Sequence, residues 1–209
     1  MARLTALTVT ELLESFASPT PTPGGGSASA LAGAMGASLL MMVAALPRTR
    51  TGTDADRAAL DSVCRELRHS REHLAALVDQ DSDAYEAVMR AYRLPKASEP
   101  EKQARTAAIQ AALHGATEVP IDVMRACHAA VREGVTVARC GSASAASDAG
   151  VAFELLAAAL NGAAANARIN LANLHDTGFS TGAEAEVLRL TRAMDAAVKE
   201  ARQALGGAG

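Results

Sequence analysis

Two aspartates stand where helical spacing demands an explanation. Asp81 falls four residues after Leu77 and four before Tyr85, on the steps of three and four that an apolar helix stripe follows. A carboxylate on a buried stripe is desolvated or paired and its pKa is displaced, which suits general acid–base chemistry. The alternative is a local shift of register that turns Asp81 to water beside Asp79 and Asp83. Asp148 follows a run of small residues, Ser142 to Ser147, at a helix start. An acid there also complements the helix dipole, with Ser147 or Ser144 as the cap. Helical steps from Asp148 pass through Ala152, Leu155, Ala159 and Gly162 to Asn166, Ile169 and Asn173. Asn170 projects about 40° from Asp148 at about 100° per residue. Asparagines on one side of an apolar helix need partners when buried. The amide groups of a heterocyclic ligand and a neighbouring helix would both serve.

A third candidate is Pro21-Thr22-Pro23-Gly24-Gly25-Gly26-Ser27. Glycines before a helix let backbone N–H groups approach an anion at its positive end. A tight turn between packed helices has the same composition. The block lacks the Gly-Lys-Ser/Thr ending of a phosphate-binding P-loop, and no strand precedes it as in a dinucleotide fingerprint. His69 and His73 are four apart, but Arg65, Glu66, Arg68, Arg71 and Glu72 mark a solvated face. No metal-ligand pattern surrounds them. No Gly-x-Ser-x-Gly elbow is present. Cys64, Cys127 and Cys140 form neither a disulfide framework nor a zinc pattern.

The elements that must position these residues are helices. Thr8 and Glu11 form a capping box, so a first helix opens near Thr8 and closes before the prolines at 19, 21 and 23. Ser27 is the expected cap of a second helix that stops at Pro47. A long third helix spans Asp54 to Tyr92, about 55–60 Å at about 1.5 Å per residue, with Leu60, Val63, Leu67, Leu74, Leu77 and Val88 on its stripe. Further helices are expected over 98–114 and 117–139, the second with Pro120 in its first turn. Another ends near His175, and a last one opens at the Thr181–Glu184 capping box and runs to Leu205. The tail 206–209 is expected to be mobile.

Composition agrees. The 209 residues include two Tyr, three Phe and no Trp, and about 50 alanines, the best helix former. One all-α domain, a bundle of long, closely packed antiparallel helices, is expected over residues 1–209. Apolar stripes this long need partners, so a dimer is expected. The net charge of −3 argues against a nucleic-acid binder. The run from Ser27 to Leu46 has no charge and is long enough to span a bilayer. Its Ala, Gly and Ser content, without aromatic anchors, suits a helix buried on all sides in a bundle. The N-terminus carries acids and lacks a signal-peptide core, and a reducing cytoplasm suits the cysteines.

At these residues the chain resembles the formiminotetrahydrofolate cyclodeaminase and methenyltetrahydrofolate cyclohydrolase family. The glycine block leads. Three more blocks follow in order: Val78-Asp79-Gln80-Asp81 through Tyr85 to Leu94-Pro95, Ala116-Thr117-Glu118-Val119-Pro120, and Ser147-Asp148-Ala149-Gly150 through Ile169-Asn170. The resemblance implies an all-helical dimer that binds a reduced folate near the subunit interface and needs no other cofactor. It implies interconversion of 5,10-methenyl- and 10-formyltetrahydrofolate, with the cyclodeaminase reaction on 5-formiminotetrahydrofolate as the alternative. Asp81 is the implied general base and Asp148 its assistant. Pro23, Gly24, Gly25, Gly26, Ser27, Ser147, Asn166 and Asn170 are the implied substrate contacts.

Two positions depart from the family pattern. Arg50 stands where the family lysine would, and joins the implied catalytic set as a cation that does not readily lose its proton. Cys140-Gly141-Ser142 replaces a common Gly-Asn. These departures leave room for a different imine or amidine substrate, or for a non-catalytic binding protein.

Overall fold

In the computed structural model, which describes residues 3–206, a short 3-10 turn at Leu4–Ala6 precedes six α-helices. They are α1 (Val9–Ala17), α2 (Gly25–Ala45), α3 (Asp54–Tyr92), α4 (Glu99–Cys140), α5 (Ala146–Leu171) and α6 (Thr177–Gly206). Among the described residues there is no strand, only an isolated antiparallel bridge between Thr49 and Gly141. Of the glycine tail, residues 207–209 lie outside the described residues, and Gly206 ends α6.

Side-chain contacts fix the helix directions. Ser27 meets Asp81, while Ala44 and Leu46 meet Arg57, so α2 and α3 run antiparallel. Gly25 lies against Asn166 and Gly36 against Ala152, so α2 and α5 are antiparallel too. Gly33 meets Cys127 and Leu40 meets Gly134, so α2 and α4 run parallel. Arg125–Glu186 and Arg139–Glu200 pairs lay α6 parallel to α4. The bundle therefore has two ends, one at the start of α2 and one at its finish.

Small residues explain how the helices come so close. A Cβ on Gly36 would fall 2.8 Å from the Ala152 carbonyl oxygen of α5. Phe153 and the leucines at 40, 60, 67, 74, 77, 156 and 160 fill the core between them. Burial of such side chains is the main stabilising contribution, about 1.5–3 kcal/mol each. α2 is not buried on all sides, however. Met35 and Met42 are 52% and 40% exposed, because α3, α4 and α5 cover only its inner face. α2 and the 143–171 segment are each long and apolar enough to cross a membrane, but both contribute heavily to this core.

Several helix boundaries differ from the sequence expectation. The stretch expected as two helices, 98–114 and 117–139, is the single helix α4, opened by a Ser98–Glu101 capping box and continuous through Pro120. Gly24, not Ser27, caps α2. α5 begins after a 3-10 turn with no serine cap and ends at Leu171 rather than near His175. α6 opens one turn before Thr181, where Asp176 Oδ1 accepts from the Phe179 N–H at 2.9 Å. Thr181 instead donates to the Thr177 carbonyl.

Candidate active site

Asp81 occupies the stripe position that its spacing predicts, and it is half-buried. Its Oδ2 accepts the Ser27 N–H at 2.8 Å and the Ser27 hydroxyl at 3.0 Å. Ser27 is fully buried and sits in the first turn of α2. The glycine block thus feeds a helix in whose first turn the Ser27 N–H is met by a carboxylate from α3 rather than by a local cap. Burial pushes the Asp81 carboxyl above the ordinary aspartate range, against the pull of the two Ser27 hydrogen bonds. A raised carboxyl pKa brings the group closer to the optimum for a base at neutral pH.

Asp81 opens on a cavity of about 260 Å³. Pro21, Thr22 and Gly24–Gly26 form one wall. Ala84, Tyr85 and Val88 continue from Asp81 along α3, and Ala116, Asn166 and Asn170 close the far side. Tyr85 is one helical turn after Asp81 and shares its face. The sequence places Tyr85 on the stripe and within the second family block, and the structure adds that it lines the cavity.

The two asparagines are oriented by main-chain carbonyls. Asn166 donates Nδ2 to the Gly162 carbonyl at 2.9 Å, and Asn170 donates Nδ2 to the Ala116 carbonyl at 2.8 Å. A carbonyl only accepts, so each amide must turn its NH₂ to it, which leaves Oδ1 for another donor. Ala116 has a free carbonyl for a local reason. Its helical donor would be the N–H of residue 120, and Pro120 has none. Of the two options raised by the asparagine spacing, Asn170 realises the bridge between helices, and it also lines the cavity. Asn173 is exposed, bonds to Ile169 and lies outside the cavity.

The structure does not bring Asp148, Ser147 or Arg50 to this cavity. Asp148 and Asn166 share α5 but are 18 residues apart, about 27 Å along the axis at about 1.5 Å per residue. Asp148 is half-buried in the first turn of α5 and Ser147 is exposed. Arg50 sits at the same end of the bundle. Its N–H donates to the Cys140 carbonyl at 2.7 Å, its Nη2 to Ala138 at 2.9 Å and its Nε to Gly141 at 3.3 Å. Arg50 thus ties the α2–α3 loop to the end of α4. The implied site is thus divided between the two ends of the bundle. Pro23 lines a neighbouring cavity beside the glycines. His69 and His73 are exposed.

This geometry has known relatives. A methenyltetrahydrofolate cyclohydrolase of Methylorubrum extorquens is 40% identical over 173 residues, covering 83% of both chains. A formimidoyltransferase-cyclodeaminase of Gallus gallus is 32% identical over 157 residues, which cover 75% of this chain and 29% of that longer protein. The crystal structure of formiminotetrahydrofolate cyclodeaminase from Thermotoga maritima superposes with a TM-score of 0.87 at 28% identity, covering 98% of both chains. The formiminotransferase-cyclodeaminase family model matches residues 8–189. With the match running from the start of α1 into α6, the chain belongs to the formiminotransferase-cyclodeaminase family.

Proposed function

We propose that the chain, acting as one domain, is a methenyltetrahydrofolate cyclohydrolase, adding water to 5,10-methenyltetrahydrofolate to give 10-formyltetrahydrofolate. The observation that carries this reading is the half-buried Asp81 carboxylate, held by Ser27 at the mouth of a cavity lined with oriented asparagines. The methenyl carbon is the centre of a cationic amidinium and is electrophilic without further activation. Asp81 accepts a proton from water as the oxygen bonds to that carbon. The hydroxyl of the tetrahedral adduct then loses its proton as the C=O bond forms, and N5 takes a proton as its bond to that carbon breaks, so one proton is released in all. Such proton transfers are worth typically about 10²–10⁴-fold. The free Oδ1 atoms of Asn166 and Asn170 suit the N–H donors of the folate's aminopyrimidinone ring. The reaction requires no cofactor beyond the folate itself.

The cyclodeaminase reaction passes through an analogous adduct with ammonia as the leaving group, and the Thermotoga maritima likeness along 98% of both chains favours it as the second reading. Assays on 5,10-methenyl- and 5-formiminotetrahydrofolate side by side separate the two.

The reading also includes a homodimer in the cytoplasm, with no nucleic-acid or membrane partner. A cavity of about 260 Å³ is below the range of about 300–1,000 Å³ for whole ligands, so it takes the folate's head and leaves the tail outside. The bare outer face of α2 and the distant Asp148 support a second copy that completes the site. In this arrangement Asp148, Ser147 and Arg50 of the partner subunit approach the head-group cavity. Three free cysteines suit a reducing compartment. Mixing inactive Asp81→Asn and Asp148→Asn proteins under subunit exchange tests the shared site. Recovered activity supports it; a mixture as inactive as its components contradicts it.

A further inference from the structure

Adding water to the methenyl cation gives a neutral formyl product and one proton. With the folate head seated over Asp81, that proton needs a way out that does not cross the ligand. The back of the site offers one. The Ser27 hydroxyl lies 3.0 Å from Asp81 Oδ2 and 3.2 Å from the Ser82 hydroxyl. Ser27 is fully buried and Ser82 half-buried. Asp81 lines the small cavity, whereas Ser82 lines a second one of about 610 Å³ between α3 and the N-terminal segment. Thr22 borders both cavities.

The second cavity is acidic. Glu72, Asp79, Asp83 and Glu86 line it from α3, with Arg3 as the opposing charge. Asp79 is fixed by the Leu4 N–H at 2.6 Å and the Thr5 hydroxyl at 2.8 Å. An excess of carboxylates lowers the local potential and draws protons toward it.

We propose that Ser27 and Ser82 relay the catalytic proton from Asp81 to this acidic cavity, a role that rests on the hydrolytic reading above. The protonated Asp81 carboxyl gives its proton to Ser27 Oγ as Ser27 gives its own to Ser82 Oγ. Ser82 in turn gives its proton to solvent water in the second cavity. Each O–H bond broken is matched by one formed, and one proton moves in total. The transfer leaves Ser27 donating to Asp81 as it does in the structure, so Asp81 is again a base, and both hydroxyls turn outward when Asp81 next takes up a proton. Ser27 is thereby a positioning residue for Asp81 and the first link of the relay, with Ser82 the second.

The test is turnover of Ser82→Ala, which leaves the Ser27–Asp81 contacts in place, across a range of imidazole concentrations. The uncatalysed rate is subtracted at each concentration. At low buffer kcat falls about tenfold, within the span of general acid–base effects, while KM holds. Added imidazole, entering the second cavity, restores kcat, and Ser82→Thr retains the low-buffer rate. A Ser82→Ala enzyme as fast as wild type at low buffer overturns the relay. So does a loss that imidazole leaves unchanged, since that marks a structural role. Wild-type protein silent on 5,10-methenyltetrahydrofolate overturns the hydrolytic reading itself, and the relay with it.

Discussion

A Cβ on residue 26 would overlap Oδ1 of Asp81 and fall 2.5 Å from its Cγ. Gly26 is therefore required by the carboxylate packed against it, in a helix that carries alanine at many other positions. Gly26→Ala must push Asp81 away from Ser27 or unwind the first turn of α2. We predict a loss of turnover of about 10²-fold or more, comparable with removal of a general base, with helical circular dichroism retained. Activity near wild type in Gly26→Ala would show that the Asp81 position is not critical.

Asn170 and Pro120 form a second coupled pair, through the Ala116 carbonyl. Asn170→Ala leaves that carbonyl without a donor, and we predict a stability loss of about 1–3 kcal/mol. Pro120→Ala restores an N–H to the helix ladder. In the Pro120→Ala background the cost of Asn170→Ala should shrink, a positive coupling measurable by denaturant unfolding. Equal losses in both backgrounds would refute the link.

The pH dependence follows from burial of Asp81. Its folded-state pKa is raised, so the native chain binds this proton more tightly than the unfolded chain. Stability from this group therefore falls as pH climbs from the ordinary aspartate range through the raised value. Asp81→Asn removes that fall. Its melting temperature should gain on wild type across the same interval and then run parallel to it. The acidic limb of kcat should lie above the ordinary aspartate range, because the base must be ionised. A limb at the ordinary position would contradict the account.

The Arg50 side chain makes two hydrogen bonds to the end of α4, beside a main-chain bond that substitution leaves in place. Arg50→Ala should destabilise the fold by about 1.5–3 kcal/mol, the span for hydrogen bonds to a charged group. Arg50→Lys offers only one point of attachment and should recover part of this. Thermal unfolding of the two variants beside wild type checks the order.

Much of this was legible in the chain, for identifiable reasons. The stripe from Leu60 to Val88 set α3 and placed Asp81 inside it, and the structure keeps both ends of that helix. The capping box at Thr8 likewise opens α1. What escaped depends on partners remote in sequence. At Pro120 local reading sees only a helix breaker, whereas the carbonyl that Pro120 leaves free is met by Asn170 from α5. Ser27 looked like a cap, but the acceptor at the start of α2 comes from α3. Asp148 shares a helix face with Asn166, and a shared face says nothing of the axial distance between them. The closeness of Ser82 to Ser27 has no one-dimensional signature.

The role proposed for Asp81 as the base of a cyclohydrolase is read most directly from the near-ultraviolet absorbance of 5,10-methenyltetrahydrofolate with wild type and Asp81→Asn. Enzyme-dependent decay is expected with wild type, and decay at the buffer rate with a folded Asp81→Asn protein. Decay at near wild-type rate in Asp81→Asn would contradict it.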